Sequence, residues 1–386
     1  AQAHVLPLLE RLARSLPAGR DRARVLVRLG WLGAQQDTIT NDEVVAYEEQ
    51  ALAEAEGTPE VAATVHAVLA RQRGIGGDYG AALRHAELAV DAAAGLEWDP
   101  MFPSPAGELA IARFLAGRGL DEELFAQGIE LEARTARVGE PYQSPRRAYA
   151  LALLQIGELD RARALLTDLL SLSEELERVR SAAGCLLNLV ELEVRAGNLA
   201  RAEAQAAEFA HLDRQLRGDL GVEWYPSGIV ALHLGRVDDA RRILTAGADY
   251  SRGIASSIWL AQHLWALGHL ELAVGDLAAA RAALAPLPGL LRGTGLGEWA
   301  VHPVHPDAIE THVALGELDE AVELTAELEE YATRLDRPWG LATAARSQAL
   351  IAAARGANDE ALASMERALA AHERLDWPFE RARTLL

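Results

Sequence analysis

The chain has 386 residues and a formal net charge of −20, and 50% of its residues are hydrophobic but only 5% are aromatic. This negative charge opposes direct binding to nucleic acid and to anionic membrane surfaces. No apolar run approaches the roughly 20 residues of a membrane span. The single cysteine, Cys185, excludes an intrachain disulfide and favours a reducing cytoplasm.

The N-terminal segment predicts an amphipathic helix, because AQAHVLPLLERLARSLPAGR interleaves charged and apolar positions. Ala and Leu, which favour helix, supply most of the apolar residues along the whole chain. We assign residues 1–40 to an atypical N-terminal cap of the repeats that follow.

A turn motif recurs after this cap, in which a glycine precedes a small polar residue, an apolar residue and then an alanine. Glycine adopts the left-handed conformation that ends a helix at low steric cost. The Asp or Glu that follows several of these glycines favours the start of the next helix. Turns separated by 38 to 42 residues are therefore predicted near residues 77, 119, 157, 197, 235, 275, 316 and 356.

Helical apolar stripes flank each turn, so each unit is predicted to be helix A, a tight turn and helix B. Neither helix buries its apolar face alone, and successive units must stack. The predicted fold class is all-α: a right-handed superhelical solenoid of antiparallel helix pairs, with about nine units of about 40 residues. The whole chain, residues 1–386, is predicted to form one such repeat domain.

The turn motif resembles the inter-helix turn of the tetratricopeptide repeat, although that repeat has a shorter period of about 34 residues. A narrower resemblance comes from the long Ala-, Arg- and Leu-rich repeats and the terminal string WPFERARTLL (residues 377–386). These features resemble the sensor region of the large ATP-binding LuxR-type transcription regulators, the group that includes the maltose-regulon activator.

The resemblance implies which domains flank the helical repeats in the parent chain. In that family a P-loop ATPase precedes the helical repeats and a helix-turn-helix domain follows them. The sequence contains no Lys, and therefore no GxxxxGK[ST] phosphate-binding loop. We expect an excised, cytoplasmic sensor domain whose partners are a small-molecule inducer and the ATPase and DNA-binding domains of its parent chain. We expect no enzymatic activity, catalytic residue or cofactor.

Candidate ligand-binding residues are aromatic or polar and lie before or early in each helix A, which lines the concave face in tetratricopeptide solenoids. Trp259, Trp299 and Trp339 are 40 residues apart, in phase with the repeat. They predict either a stacking platform for a sugar or aromatic metabolite or packing between repeats. The full candidate set is Arg147, Asn188, Trp224, Tyr225, Trp259, His263, Trp299, His302, His305, Trp339 and Arg346.

The segment EWAVHPVHPDAIETH (residues 298–312) raises the question of a metal site. Its His302 and His305 are separated by Pro303, and the spacing matches no standard zinc site. We therefore predict no metal.

Two functions follow from these patterns. The first is a ligand-sensing regulatory domain of a transcription activator, with a small molecule in the concave groove. The alternative is a protein-interaction scaffold that binds a peptide or a partner helix in the same groove.

Overall fold

Helices are the only regular elements that a computed structural model contains over the residues it describes, which are 5–35, 40–55, 57–99, 101–134, 140–217, 225–253 and 256–386. Consecutive helices pack in antiparallel pairs, so the predicted all-α fold class is confirmed. None of the described helices is both long enough and apolar enough to cross a membrane.

The chain divides into two compact units, Ala1–Ala148 and Tyr149–Leu386, which we call unit 1 and unit 2. The single repeat domain expected over residues 1–386 stays a prediction.

Unit 1 consists of helix pairs around apolar clusters, one of which contains Trp31, Val44, Leu69 and Phe102. Neighbouring helices pack in sequence order along this unit. Its described helices are α1 (Val5–Ser15), α2 (Arg20–Gln35), α3 (Asn41–Glu54), α4 (Pro59–Ile75), α5 (Tyr79–Ala93), α6 (Pro105–Leu115) and α7 (Glu122–Ala133), followed by a short 3-10 helix, Pro141–Gln143.

Unit 2 continues the alternation of helices A and B. It includes most of α8 (Pro145–Ile156), which begins in unit 1, and a 3-10 helix at Trp299–Val301. Its further helices are α9 (Leu159–Glu175), α10 (Val179–Arg195), α11 (Leu199–Arg217), α12 (Tyr225–His233), α13 (Val237–Gly253), α14 (Ser257–Val274), α15 (Leu277–Leu284), α16 (Leu287–Arg292), α17 (Val304–Leu315), α18 (Leu318–Leu335), α19 (Pro338–Ala354), α20 (Asn358–His372) and α21 (Pro378–Leu385).

All eight glycines of the predicted turns have positive φ angles, between 71° and 94°. Two of the acidic residues that follow them also cap the next helix. Asp78 accepts a hydrogen bond from the backbone N–H of Ala81 at 2.8 Å, and Asp276 accepts one from Ala279 at 3.0 Å. Local chemistry thus fixes where helix A ends and helix B begins.

Small residues allow the helices to pack closely. The alanines five residues after the turn glycines are buried in six of seven repeats, namely Ala82, Ala162, Ala202, Ala240, Ala280 and Ala321. Gly340 serves the same purpose where α19 packs on α18. A Cβ atom built there would lie 2.7 Å from the Cβ of Ala332 and 3.1 Å from the ring of Tyr331.

Replacing Gly340 by Ala is expected to destabilise unit 2. The added methyl group must push α19 away from the backbone of α18, and such overpacking costs about 1–3 kcal/mol. The urea midpoint of unfolding, followed by circular dichroism, should fall.

Gly74→Ala is the matched control, because a Cβ atom there meets only the Cβ of Ala82 at an ordinary 3.8 Å. Helix propensity then dominates, and the midpoint should stay or rise by an amount equivalent to about 0.5–1 kcal/mol. Equal effects of the two substitutions would contradict the close approach at Gly340.

Candidate functional site: the inner groove of unit 2

Five helices A of unit 2 lie side by side, because α10, α12, α14, α17 and α19 contact one another in that order. The last helix, α21, lies against the face that these five helices share. We call this face the inner groove. It is lined by Glu191, Arg195, Tyr225, His233, Trp265, His269, Asp307 and Trp339.

A buried carboxylate, Asp307, forms the centre of the groove and is only 1% exposed. From α14, the indole N–H of Trp265 donates to Asp307 Oδ2 at 2.8 Å, and His269 Nδ1 lies 3.0 Å from the same oxygen. These two side chains lie on one face of α14 because they are four residues apart. From α21, Arg383 forms an ion pair with Asp307 Oδ1 at 2.8 Å.

A second set of ion pairs involves the same face of α21, because Glu380 and Arg383 are three residues apart. Arg346 of α19 lies 3.0 Å from Glu380 in an ion pair, and its guanidinium donates to the Glu380 backbone carbonyl at 3.3 Å. Arg383 also pairs with Glu310 at 2.7 Å and with Glu380 at 3.2 Å. Helix α21 therefore presents an acid and a base to groups of opposite charge on two different helices.

Aromatic rings anchor the start of α21. The Phe379 ring centroid lies 4.7 Å from His233 and 5.8 Å from His269. Trp377, only 4% exposed, has its ring 4.7 Å below the Arg195 guanidinium, within the range of a cation–π contact. Trp377 supplies buried apolar contact area that the charges alone do not, whereas Phe379 stays 37% exposed and adds its contacts with the two imidazoles.

Arg195 connects the groove to neighbouring segments through hydrogen bonds. Its guanidinium donates to the Gln155 side chain at 2.8 Å, to Glu191 at 2.6 Å and to the backbone carbonyl of Ala300 at 3.0 Å. Because all three groups accept hydrogen bonds from Arg195, they hold its cation in one position over the Trp377 ring.

The electrostatics of the groove favour the charged forms of its acids. Burial acts to raise the pKa of Glu380, but Arg383 and Arg346 outweigh it and lower the pKa to about 2. For Asp307, His269 and Arg383 likewise outweigh burial and place its pKa well below the usual range. Burial lowers the pKa of His233 to about 4, with a further contribution from His269.

Little space is left in the groove with α21 in place. The remaining cavity has a volume of about 70 Å³. Pockets that bury small-molecule ligands usually span about 300–1,000 Å³. As it stands, the groove therefore holds a helix and leaves room for only a few water molecules.

The ligand-binding residues predicted from the sequence lie in different parts of the structure. Tyr225 and Trp339 line the inner groove, and Arg346 pairs with α21. Arg147 lies at the end of unit 1 with its guanidinium 3.8 Å from the centroid of the Tyr142 ring. Trp224 lies outside the described residues.

Trp299 and His305 form a stack of their own. The Trp299 ring stacks on His305, at 4.1 Å between centroids, and on Tyr331, at 5.0 Å, with interplanar angles of 2° and 15°. The stacking surface of Trp299 is thus used at least in part by the protein itself. His302 is also buried, and burial lowers its pKa to about 4.

The remaining candidates pack between helices. His263 is fully buried, and its Nδ1 donates to the Trp259 carbonyl at 2.7 Å. Trp259 is partly buried against the apolar cluster that includes Tyr225. Asn188 is buried on α10.

Several groove residues were not singled out as candidates from the sequence, namely Arg195, His233, Trp265, His269, Asp307 and Phe379. A periodic signal was nevertheless present for part of the set. Gln155, Arg195 and His233 each lie two residues before a turn glycine, at the last turn of a helix A. Polar residues two positions before a turn glycine mark the groove. Polar or aromatic residues nine to twelve positions before a turn glycine mostly pack between helices.

No group of three or more His, Cys, Asp or Glu side chains within the described ranges is arranged to hold a metal ion.

Comparisons with known proteins extend these observations. Neither a model of a known protein family nor the sequence of a characterised protein matches this chain. Among solved structures, a Rap protein complexed with competence and sporulation factor is similar over 94% of this chain and 100% of its own, with a TM-score of 0.60 and 12% identity. Aspartyl phosphate phosphatase F from Bacillus subtilis is similar over 86% of this chain and 90% of its own, with a TM-score of 0.50 and 12% identity. These likenesses show the fold, a tetratricopeptide-like helical repeat domain.

Replacing Arg383 by Gln is expected to release α21. Removing one partner of a buried ion pair costs about 3–5 kcal/mol, because Asp307 would stay buried and uncompensated. Since every 1.4 kcal/mol is tenfold, protection of the α21 amides from hydrogen exchange should fall by about 100-fold or more, with little change in α10.

The control for this substitution is Arg374→Gln. Arg374 pairs with Asp336 at 2.8 Å, but the two side chains are 50% and 71% exposed, so the pair contributes little. A similar loss of α21 protection in both variants would contradict the role of Arg383.

Acidification is expected to loosen α21 in two steps. The pKa of His233 is about 4 with α21 in place, so release of α21 allows this imidazole to take up a proton as the pH falls from about 6.5 towards 4. The pKa of Glu380 is about 2, so its contribution is present above about pH 4.5 and is lost as the pH falls towards 2.

Hydrogen exchange of α21 at successive pH values, corrected for intrinsic exchange rates, measures this effect. His233→Gln, which has no titrating ring, should remove the upper step and leave the lower one. Protection that stays constant between pH 7 and 3 would show that neither group responds to docking of α21.

Proposed function

We propose that the chain is a regulatory domain whose inner groove recognises an amphipathic helix. The observation that carries this proposal is the docking of α21, which combines two aromatic anchors, Trp377 and Phe379, with charges that meet Asp307 and Arg346. A helix in a groove, anchored at spaced positions on one face, is a common mode of peptide recognition.

The groove favours a helical ligand over a small molecule. With about 70 Å³ left beside α21, a sugar or aromatic inducer would enter only after α21 leaves. In that event Tyr225 and Trp339 supply aromatic surface for it. A partner helix also has to displace α21, but it could then make the same apolar and charged contacts that α21 makes.

The docked helix α21 leaves one buried hydrogen-bond donor without a partner, which favours its replacement by another helix. The indole Nε1 of Trp377 is buried and has no hydrogen-bond partner among the described residues. An unsatisfied buried donor costs about 1–3 kcal/mol. A partner helix with a better-matched residue at this position would therefore compete with α21 for the groove.

The likeness to Rap supports a binding role, since that protein of similar fold was solved in complex with competence and sporulation factor. The resemblance to ATP-binding LuxR-type regulators supplies the wider context. In this proposal α21 reports occupancy of the groove to the ATPase and DNA-binding domains of a transcription activator. The string that carries the resemblance contains α21.

A peptide of residues 372–386 tests recognition in trans. The groove is first freed in the full chain by the double substitution Phe379→Ala and Arg383→Gln, and binding of the fluorescein-labelled wild-type peptide is followed by anisotropy. We expect saturable binding. Adding Asp307→Asn to the chain should weaken it at least tenfold, because the partner of the peptide Arg is lost.

A peptide with the same two substitutions is the matched control and should bind at least tenfold more weakly. Equal binding of both peptides would mean that the groove does not recognise the α21 pattern. Failure of the wild-type peptide to bind the freed chain, with circular dichroism confirming that the chain is folded, would refute the proposal.

A further inference from the structure

Unit 1 contains a cavity of about 640 Å³ that is separate from the inner groove of unit 2. Its volume falls within the range of small-molecule binding sites. Helices α2, α4, α5 and α6 and the segment between α5 and α6 contribute its walls, which are mostly apolar. Val27, Val61, Val90, Trp98 and Phe102 belong to these walls.

The segment between α5 and α6 is fixed by two tryptophans. The indole N–H of Trp31, on α2, donates to the Met101 carbonyl at 2.6 Å. The indole of Trp98 donates to the carbonyls of Phe102 and Pro103 at 3.2 and 3.3 Å. Because both indole donors are used by the backbone, this wall offers a ligand mainly apolar and aromatic surface.

Cations are placed on one side of the cavity. Arg24 and Arg28 both line it and are four residues apart on α2, so they share a helix face. Arg28 lies 3.8 Å from Asp99 in an ion pair. Arg24 is exposed and forms no hydrogen bond or ion pair with any described residue, so its guanidinium is available to a ligand at the edge of the cavity.

The acids of the cavity do not neutralise Arg24. Glu60 is paired with Arg20 at 3.9 Å. Glu97 is exposed and forms no ion pair with a described residue. It lies on the loop after α5, whereas Arg24 lies on α2. It provides the competing prediction, a ligand with a cationic end.

We propose that this cavity binds a small molecule with an apolar body and a carboxylate. The carboxylate is bound by the planar guanidinium of Arg24, which accommodates two parallel hydrogen bonds, with Arg28 as its neighbour. The apolar body is buried against Val27, Val61 and Phe102. This inference does not depend on the helix-binding role of unit 2, because every residue it uses lies in unit 1.

Three probes with the same ten-carbon chain separate the contribution of the apolar body from that of the charged end: decanoate, decan-1-ol and decylamine. Binding to the full chain is measured by isothermal titration calorimetry at concentrations below micelle formation. We expect decanoate to bind at least tenfold more tightly than decan-1-ol, and decylamine to bind most weakly. Tighter binding of decylamine, or no detectable binding of decanoate, would overturn the proposal.

Two pairs of variants locate the site. Arg24→Gln should weaken decanoate about tenfold and leave decan-1-ol unchanged, whereas Arg11→Gln, at an exposed residue of α1 outside the cavity, should alter neither. Ala93→Phe fills the cavity and should weaken both probes, whereas Ala92→Phe, on the same helix but outside the lining, should not. Equal effects within either pair would place decanoate elsewhere and refute the assignment.

Discussion

The inner groove depends on the need to neutralise one buried carboxylate. Asp307 is out of contact with water; Arg383 from α21 forms an ion pair with it, the indole N–H of Trp265 donates to it, and His269 Nδ1 lies 3.0 Å from its Oδ2. An isolated carboxylate in such a place would be prohibitively costly. Three elements that are distant in sequence must therefore meet at one point, and the docking of α21 follows from that requirement.

The groove combines interactions of different range. Ion pairs to Asp307 and Arg346 give α21 its orientation, since each charge has one complementary partner on the wall. The ring of Trp377 adds non-directional apolar burial, and the exposed ring of Phe379 adds contacts with His233 and His269. Buried ion pairs are weak evidence for net stability because desolvation opposes them, but they discriminate strongly against a helix with the charges reversed. Such a surface is suited to selecting one helix among several.

The two units present different kinds of site. In unit 2, the shared face of five helices A is occupied by a helix and retains about 70 Å³ of space. In unit 1, a fixed segment between α5 and α6 borders a cavity of about 640 Å³. The contrast arises because unit 1 has no counterpart of α21 over this cavity among its described helices. A repeat scaffold can thus carry a peptide site and a small-molecule site with the same helical building blocks.

Several local features could be predicted from the amino-acid pattern: the eight turn glycines, acidic residues such as Asp78 and Asp276 at the helix starts, and the all-α class. These follow from φ preferences and hydrogen bonds within a few residues. The repeat phase also places Tyr225, Trp339 and Arg346 on helices A, and all three lie at the inner groove, while their binding of a ligand stays a prediction. The packing of distant helices was needed to show that Trp299 stacks on His305 and Tyr331 and that Arg383 reaches Glu310, 73 residues away. Such pairings depend on how successive helices stack, which no local preference specifies, and so the occupant of the groove could not be read from the repeat pattern.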